Sequence, residues 1–384
     1  MYVTKCNQMG KVIMRIGIPK EQKSLEGRIS LTPDAVKSLT EAGHEVYIEL
    51  GAGMLSGYSD SQYSHAGASL MPTASMVYQN ATLIVKVKEP LETEWSLYRK
   101  DHIVFCFLHL AANLPLMAKL QEIGLTAIAF ETMVETDQHG QTHLPLLAPM
   151  SAIAGRVTAQ MGATLQYQYR GGQGILFGGL DEQMNAQDNI DTGHVVVLGA
   201  GVAGAHASKT AASMGAKVTV LDINPSRLKA LESSSVNISG VNSTVEAIAG
   251  LVKEADLLIG AVLIPGAKAP HLVTKAMVET MKPNSVVMDI SVDQGGCIET
   301  IEPTSYENPV YFHQKVLHFG VTNIPGAVPR TATQALSAAI LPYVHSVIET
   351  AESDNWLENE QIQAAINVKD GKVLHPALLN LQGA

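Results

Sequence analysis

In "FCFLHLAANL", residues 105–114, a single imidazole, His109, interrupts an otherwise apolar run. Burying an imidazole among Phe, Leu and Ala costs free energy unless it finds a hydrogen-bond partner. Three other stretches have the same form. In "LIVKVKEP" Lys86 and Lys88 are two apart, so on a strand they share one face, and Lys88 comes just before Glu89-Pro90 breaks the run. Arg28 lies in the loop after the first strand-like segment, and Asp293 closes "VVMDISVD" before Gln-Gly-Gly. Each has an ordinary reading: a solvated arginine, lysines guarding an edge strand, a satisfied core histidine, a turn-forming aspartate. Their shared position is the signal, because open parallel sheets bind ligands outside the carboxyl ends of their strands. Any anionic ligand must be caught by a few local cations of this kind, and an imidazole that titrates near neutrality suits proton transfer. If two domains face each other by their strand ends, Asp293 looks across a cleft at the three basic groups.

A second constellation is contiguous. "VVVLGAGVAGA" contains Gly199-Ala-Gly201-Val-Ala-Gly204, a G-x-G-x-x-G after a strand-like run, opening an Ala-rich helix that ends at Gly215. A further strand, "KVTVLD", closes with Asp222. In that β-α-β setting the pattern predicts a dinucleotide site. Gly199 makes the tight turn, Gly201 admits the pyrophosphate, and Gly204 lets helix and strand pack closely. The phosphates meet the helix N-terminus. Asp222 can accept hydrogen bonds from the adenosine ribose and repels a 2′-phosphate, which favours NAD over NADP; Arg227 nearby tempers that preference.

The elements that must position these groups alternate along the chain. "MRIGIP" (14–19), "HEVYIEL" (44–50), "ATLIVKVKEP" (81–90), "HIVFCFLHL" (102–110) and "LTAIAFE" (125–131) read as strands. Between them lie helical segments such as "TPDAVKSLTEAG" (32–43), with Pro at its start and Gly at its end. A second series begins at residue 194 with "HVVVL" and continues through "AKVTVLD" (216–222), "ADLLIGAVL" (255–263) and "NSVVMDISVD" (284–293). Alternation of this kind predicts an α/β protein with parallel sheets and helical crossovers. Residues 151–174 read as a bridging helix, 181–193 as a surface connection and 331–351 as a terminal helix.

Composition narrows the partners. The 384 residues are 46% hydrophobic and 16% charged, enough for large cores, and the net charge is −10. With a pI near 5.7 the chain has no basic face for nucleic acid or an anionic membrane. Cys6, Cys106 and Cys297 are far apart and form no C-x-x-C, which argues against a disulfide framework or zinc site. No secretory h-region or membrane-spanning apolar stretch is present in the sequence, so a cytoplasmic location is expected.

Together "MRIGIPKE", "KVKEP", "FLHLAA", "LPLLAPMSAIAGR", "VVVLGAGVAGA", "GAVLIPGAKAP", "MDISVDQGGCIET" and "NIPGAVPRTATQAL" resemble the bacterial L-alanine dehydrogenases, from Met14 to about residue 350. The resemblance implies reversible oxidative deamination of L-alanine to pyruvate and ammonium with NAD, without a metal. It implies that Arg28 and Lys88 hold the substrate carboxylate and carbonyl, that His109 and Asp293 handle protons, and that Ser151, Asp222 and Asn323 contact NAD. The fold implied has two Rossmann-like, doubly wound domains joined by long helices. The substrate domain would comprise 1–148 plus 327–384 and the NAD domain 149–326, in a homo-hexamer. Three features depart from the family: Ala152 stands where a glutamate is expected, 177–197 is longer than the usual connection, and the first 13 residues fall outside the likeness. The rivals are a related pyruvate-using dehydrogenase or reductive-condensation enzyme, and a non-catalytic NAD-binding subunit like that of transhydrogenase.

Overall fold

The computed structural model describes residues 13–138, 140, 142–180, 190–262, 270–356, 358–379 and 381. The chain divides into two compact units, Met1–Met150 with Val328–Ala384, and Ser151–Ala327. Residues 181–189 of the surface connection expected at 181–193, most of the first 13 residues and the centre of "GAVLIPGAKAP" lie outside the described residues.

The first unit is built on β1 (Arg15–Ile18), β2 (Glu45–Glu49), β3 (Ser69–Met71), β4 (Leu83–Val85), β5 (Ile103–Cys106) and β6 (Thr126–Ala129), with a small hairpin of β7 (Glu135–Thr136) and β8 (Thr142–His143). The second holds β9 (His194–Leu198), β10 (Lys217–Asp222), β11 (Ile238–Asn242), β12 (Leu257–Gly260), β13 (Val286–Asp289), β14 (Val310–His313) and β15 (Val316–Phe319). The chain then returns to the first unit for β16 (Ile366–Lys369) and β17 (Lys372–Val373). The two large sheets run β17-β16-β6-β5-β4-β1-β2-β3 and β11-β10-β9-β12-β13-β15-β14. β1 to β6 are all parallel, as are β9 to β13 and β15, while β16, β17 and β14 add antiparallel edges. The fold is therefore the expected doubly wound α/β in both units, its parallel sheets extended by antiparallel strands at one edge.

Both sheets reverse their winding direction once. In the first, β1, β2 and β3 run outward on one side and β4 starts again on the other side of β1; in the second, β9, β10 and β11 do so and β12 returns beside β9. The crevice at such a switch point, outside the strand carboxyl ends, is where doubly wound sheets bind ligands. Burial is what makes these strands: Leu83, Ile84, Val85, Val104, Phe105 and Cys106 are all fully buried, as residues covered by helices on both faces must be. Several strands are shorter than the apolar runs that announce them. β4 ends at Val85, not at Pro90, β5 at Cys106, not at Leu110, and β13 at Asp289, not at Asp293.

The crossovers are capped as the sequence indicates. The helix Pro33–Glu41 has Pro at its first turn and Thr32 as N-cap, and Gly43 follows it at φ 94°. The bridging helix spans Ala148–Leu165 and the terminal one Pro329–Ser353. Among the described residues no helix is long and apolar enough to cross a membrane, and no His, Cys, Asp and Glu group could hold a metal ion.

Two buried histidines give the fold a dependence on acid. His102 accepts the Arg99 N–H at Nδ1 (3.1 Å) and faces the Tyr78 carbonyl with Nε2 (3.0 Å). His318 faces the Val316 carbonyl with Nδ1 (3.1 Å) and the Thr300 hydroxyl with Nε2 (2.8 Å). Burial lowers both from 6.5 to about 4. Between those values the unfolded chain binds the extra proton, so stability is present above pH 6.5 and is lost as pH falls towards 4, by about 3 kcal/mol per histidine at most. His318→Gln should therefore flatten the pH dependence of urea unfolding of the second unit between pH 6.5 and 4. An unchanged slope would show that His318 is already charged in the folded state.

Candidate functional site

Four neighbouring strand ends of the first unit deliver five groups. The order β1-β4-β5-β6 is a run of parallel neighbours, with Gly17 level with Ile84, Val85 with Phe105, and Phe105 with Ile128. After β1 comes the loop with Arg28, after β4 Lys88 and Glu89, after β5 His109 and after β6 Glu131.

Arg28 is buried, and its loop is held from two sides. Thr333 and Ser337 on the helix Pro329–Ser353 accept the backbone N–H groups of Ile29 (3.0 Å) and Thr32 (2.9 Å), and the Ser30 hydroxyl donates to the Val85 carbonyl at the end of β4 (2.8 Å). The guanidinium pairs with Glu26: Nε donates to Oε1 at 2.7 Å and Nη2 to Oε2 at 2.5 Å. Burial alone would raise the Glu26 carboxyl, but Arg28, with a smaller contribution from Lys88, holds it below the usual carboxylate range. Glu26 thus occupies the Nε–Nη2 edge, and Nη1 donates to Met150 Sδ at 3.3 Å.

The two lysines of "KVKEP" part company. Because β4 stops at Val85, no strand face carries both. Lys86 is fully buried and ion-paired with Glu94, which also accepts from the Tyr78 hydroxyl, so this lysine belongs to the core. Lys88 lies in the bend beyond, where Glu21 accepts the Val87 N–H at 2.6 Å and faces that of Lys88 at 3.4 Å. Burial pushes the Glu21 carboxyl up to about 7 against the opposing pull of Lys86.

His109 does not end a strand. It lies three residues past β5 with φ 50° and ψ 39°, a left-handed conformation that is uncommon outside glycine. Glu131 explains how it is held: its carboxylate accepts the His109 N–H at 2.6 Å and the Leu108 N–H at 3.2 Å, as an anion seated in a pair of backbone donors. The imidazole stacks on Phe107, centroids 5.7 Å apart and planes 12° apart, and Nδ1 lies 3.6 Å from Glu89 Oε2.

The second unit builds a different kind of site at its own switch point. Gly199 turns the chain at φ +97°, and a Cβ there would come 2.7 Å from the Ala261 carbonyl oxygen. A Cβ on Gly204 would lie 1.8 Å from the Gly199 carbonyl oxygen, so only glycine permits this approach of helix to turn. A Cβ on Gly201 would meet nothing within 4 Å, as a position open to a ligand requires. The helix Val202–Ser213 starts there, and Asp222 closes β10 beside it, accepting the Ala200 N–H at 2.6 Å and the Asn224 N–H at 2.7 Å. This cradle fits a dinucleotide. Ser151 lies one turn before Gly155, which packs so closely on the Ala203 carbonyl that a Cβ would come within 2.1 Å of it. Arg227 is exposed in the first turn of the helix Pro225–Glu232, and Asn323 follows β15 at φ 66°.

Asp293 is exposed, in a short 3-10 turn (Val292–Gln294) after β13. The acid that does end β13 is Asp289, fully buried, which accepts the Cys297 N–H (2.7 Å) and the Ser291 N–H (2.9 Å) and so fixes that turn. The sequence reading missed Asp289, Glu21, Glu26, Glu89 and Glu131 as positioning groups. Glu89 and Glu131 carried one available signal: each lies within four residues of a strand's end.

Residues 17–154 match the family model "Alanine dehydrogenase/PNT, N-terminal domain", and residues 158–376 match "Alanine dehydrogenase/PNT, C-terminal domain". The alanine dehydrogenase of Methanococcus maripaludis is 44% identical over 367 residues, 95% of this chain and 95% of that protein. That of Bacillus subtilis is 43% identical over 95% of this chain and 94% of its own length. Among solved structures, an L-alanine dehydrogenase superposes with a TM-score of 0.86 at 44% identity, covering 96% of this chain and 99% of that one. A transhydrogenase from Sinorhizobium meliloti superposes with a TM-score of 0.78 at 28% identity, over 94% of this chain and 99% of that one.

Proposed function

Since the chain belongs to the alanine dehydrogenase/PNT family, we propose that it interconverts L-alanine with pyruvate and ammonium, with NAD as the redox partner. The observation that carries this reading is the placing of Arg28, Lys88 and His109 on the loops after β1, β4 and β5, three adjacent strands at a switch point. A site for a bare dinucleotide-binding subunit needs no such set.

When bound, NAD supplies the acceptor for a hydride from the substrate Cα. The chain's own residues do the rest. Arg28 holds the substrate carboxylate through its guanidinium, and Lys88 adds positive charge beside the carboxylate and the carbonyl oxygen. His109 takes a proton as the amine becomes an iminium and water adds to it, and returns it in the reverse direction. Asp293 is the second proton-handling group, stabilising the cationic substrate species. Gly199, Gly201 and Gly204 seat the pyrophosphate, Asp222 takes the ribose hydroxyls, and Ser151, Arg227 and Asn323 complete the cofactor contacts. By family resemblance the protein is a cytoplasmic homo-hexamer.

The test is a panel of amino acids with NAD⁺, followed at the NADH absorbance band, with NADP⁺ as control. L-Alanine with NAD⁺ should give turnover. NADP⁺ should be poorer by at least about 100-fold in kcat/KM, since its 2′-phosphate meets Asp222 at short range. No turnover with alanine would overturn the reading, and equal use of both cofactors would remove Asp222 from its assigned role.

A further inference from the structure

Beyond the residues that touch substrate or cofactor, we infer that Glu89 is a positioning residue for His109, itself clamped by Lys23, and that this chain of three groups sets which imidazole nitrogen meets the substrate. The inference rests on the proposed role of His109 in proton transfer. Glu89 follows Lys88 in the bend beyond β4, and its carboxylate turns to bridge two other loops. Oε1 accepts from Lys23 Nζ at 2.9 Å, in the loop that also carries Arg28. Oε2 points at His109 Nδ1 from 3.6 Å and is buried with no hydrogen-bond partner. A buried carboxylate oxygen left in this way costs free energy unless a donor reaches it. The donor within reach is the Nδ1–H of His109, which a shift of about 0.5 Å would bring into hydrogen-bond range.

That pairing has chemical consequences. An Nδ1–H held by a carboxylate leaves Nε2 as the basic nitrogen, as a carboxylate does for the histidine of any acid–base pair. It also stabilises the imidazolium formed when His109 takes a proton. Phe107, Glu131 and Lys88 act differently. Phe107 stacks on its face, Glu131 is engaged with the backbone N–H groups of Leu108 and His109, and Lys88 is a cation acting on the same Glu89 carboxylate. Glu89 stays ionised: burial alone would raise its carboxyl, but His109, Lys88 and Lys23 together hold it far below the usual carboxylate range. Lys23 thus has a role the sequence gives no hint of, since it fixes the carboxylate that aims the histidine.

Glu89→Gln keeps the shape and removes the charge. In the full-length protein the imidazole of His109, followed by NMR titration, should lose its proton about one pH unit lower than in wild type. The acid limb of kcat/KM for alanine should move down with it. kcat should fall 10- to 100-fold while the KM for NAD⁺ stays within twofold, and Glu89→Asp should restore part of the rate. Lys23→Met, which removes a cation and leaves Glu89 charged, should shift the same titration the opposite way, to higher pH, and serves if the glutamine variant fails to fold. A His109 titration unchanged in both variants would overturn the inference, as would a Glu89→Gln enzyme with wild-type kcat. Absence of alanine turnover in the wild type, with the titration shifted as expected, would instead sink the proposed reaction and leave the Glu89–His109 coupling standing.

Discussion

His109→Ala is expected to lower kcat for alanine oxidation about 1,000-fold, within the range general acid–base groups contribute, while NADH affinity stays within twofold of wild type. The two readouts separate because the groups lie in different units: His109 in the first, the glycine turn and Asp222 in the second. A complication is backbone strain. At φ 50° an alanine is unfavourable by roughly 1–2 kcal/mol, so the alanine variant also loosens the turn that Glu131 pins. His109→Asn controls for this, since asparagine tolerates the left-handed region and cannot titrate near neutrality. Both variants should be equally slow, and thermal unfolding should show the asparagine variant to be the more stable. Retention of most of kcat by either would return His109 to the class of core residues stacked on a phenylalanine.

The contrast between the two units shows what a sequence can reveal of such a site. The dinucleotide cradle was legible because its constraints are contiguous: a turn at Gly199, an approach at Gly204 and an acid at the end of the next strand all fall within 24 residues. The alternation of strands and helices carried the doubly wound fold for the same reason. The lengths of the strands were less legible. Phe107 and Leu108 are as buried as the strand before them, yet they are covered by loop and helix side chains beyond the last ladder position. An apolar run reports burial, and burial outlasts pairing. The same excess put Lys86 and Lys88 on one face of a strand that had already ended, and carried β13 on to Asp293 although its last residue is Asp289.

The carboxylates were hidden for another reason. Glu131 serves a backbone 22 residues upstream and Glu89 meets an imidazole 20 residues on, while Glu21 reaches a bend 66 residues away. Those pairs exist because parallel neighbours bring their carboxyl ends level, a matter of register that composition and periodicity do not encode. A glutamate beside a proline reads as a turn residue until the register is known. Arg28, Lys86 and His109 each face an acid, Glu26, Glu94 and Glu89, so these groups are balanced pairs and not the bare cations the sequence suggests.

That balance makes Arg28 the most consequential single position. Removing the guanidinium in Arg28→Met should raise the KM for pyruvate about 100-fold, the loss of a charge-assisted contact worth up to about 3 kcal/mol. It should also destabilise the first unit by about 3–5 kcal/mol, because Glu26 is left buried without its ion pair. The two effects have different causes and can be pulled apart. In Glu26→Gln/Arg28→Met the stranded charge is gone, so the urea midpoint should recover most of its loss while the KM for pyruvate stays high. Arg28→Lys should fall between: an ammonium can pair with one Glu26 oxygen but cannot serve Glu26 and a substrate carboxylate at once. A KM that recovers together with stability in the double variant would mean that Arg28 only shapes the loop. A KM that stays high after stability returns would place its guanidinium on the substrate carboxylate.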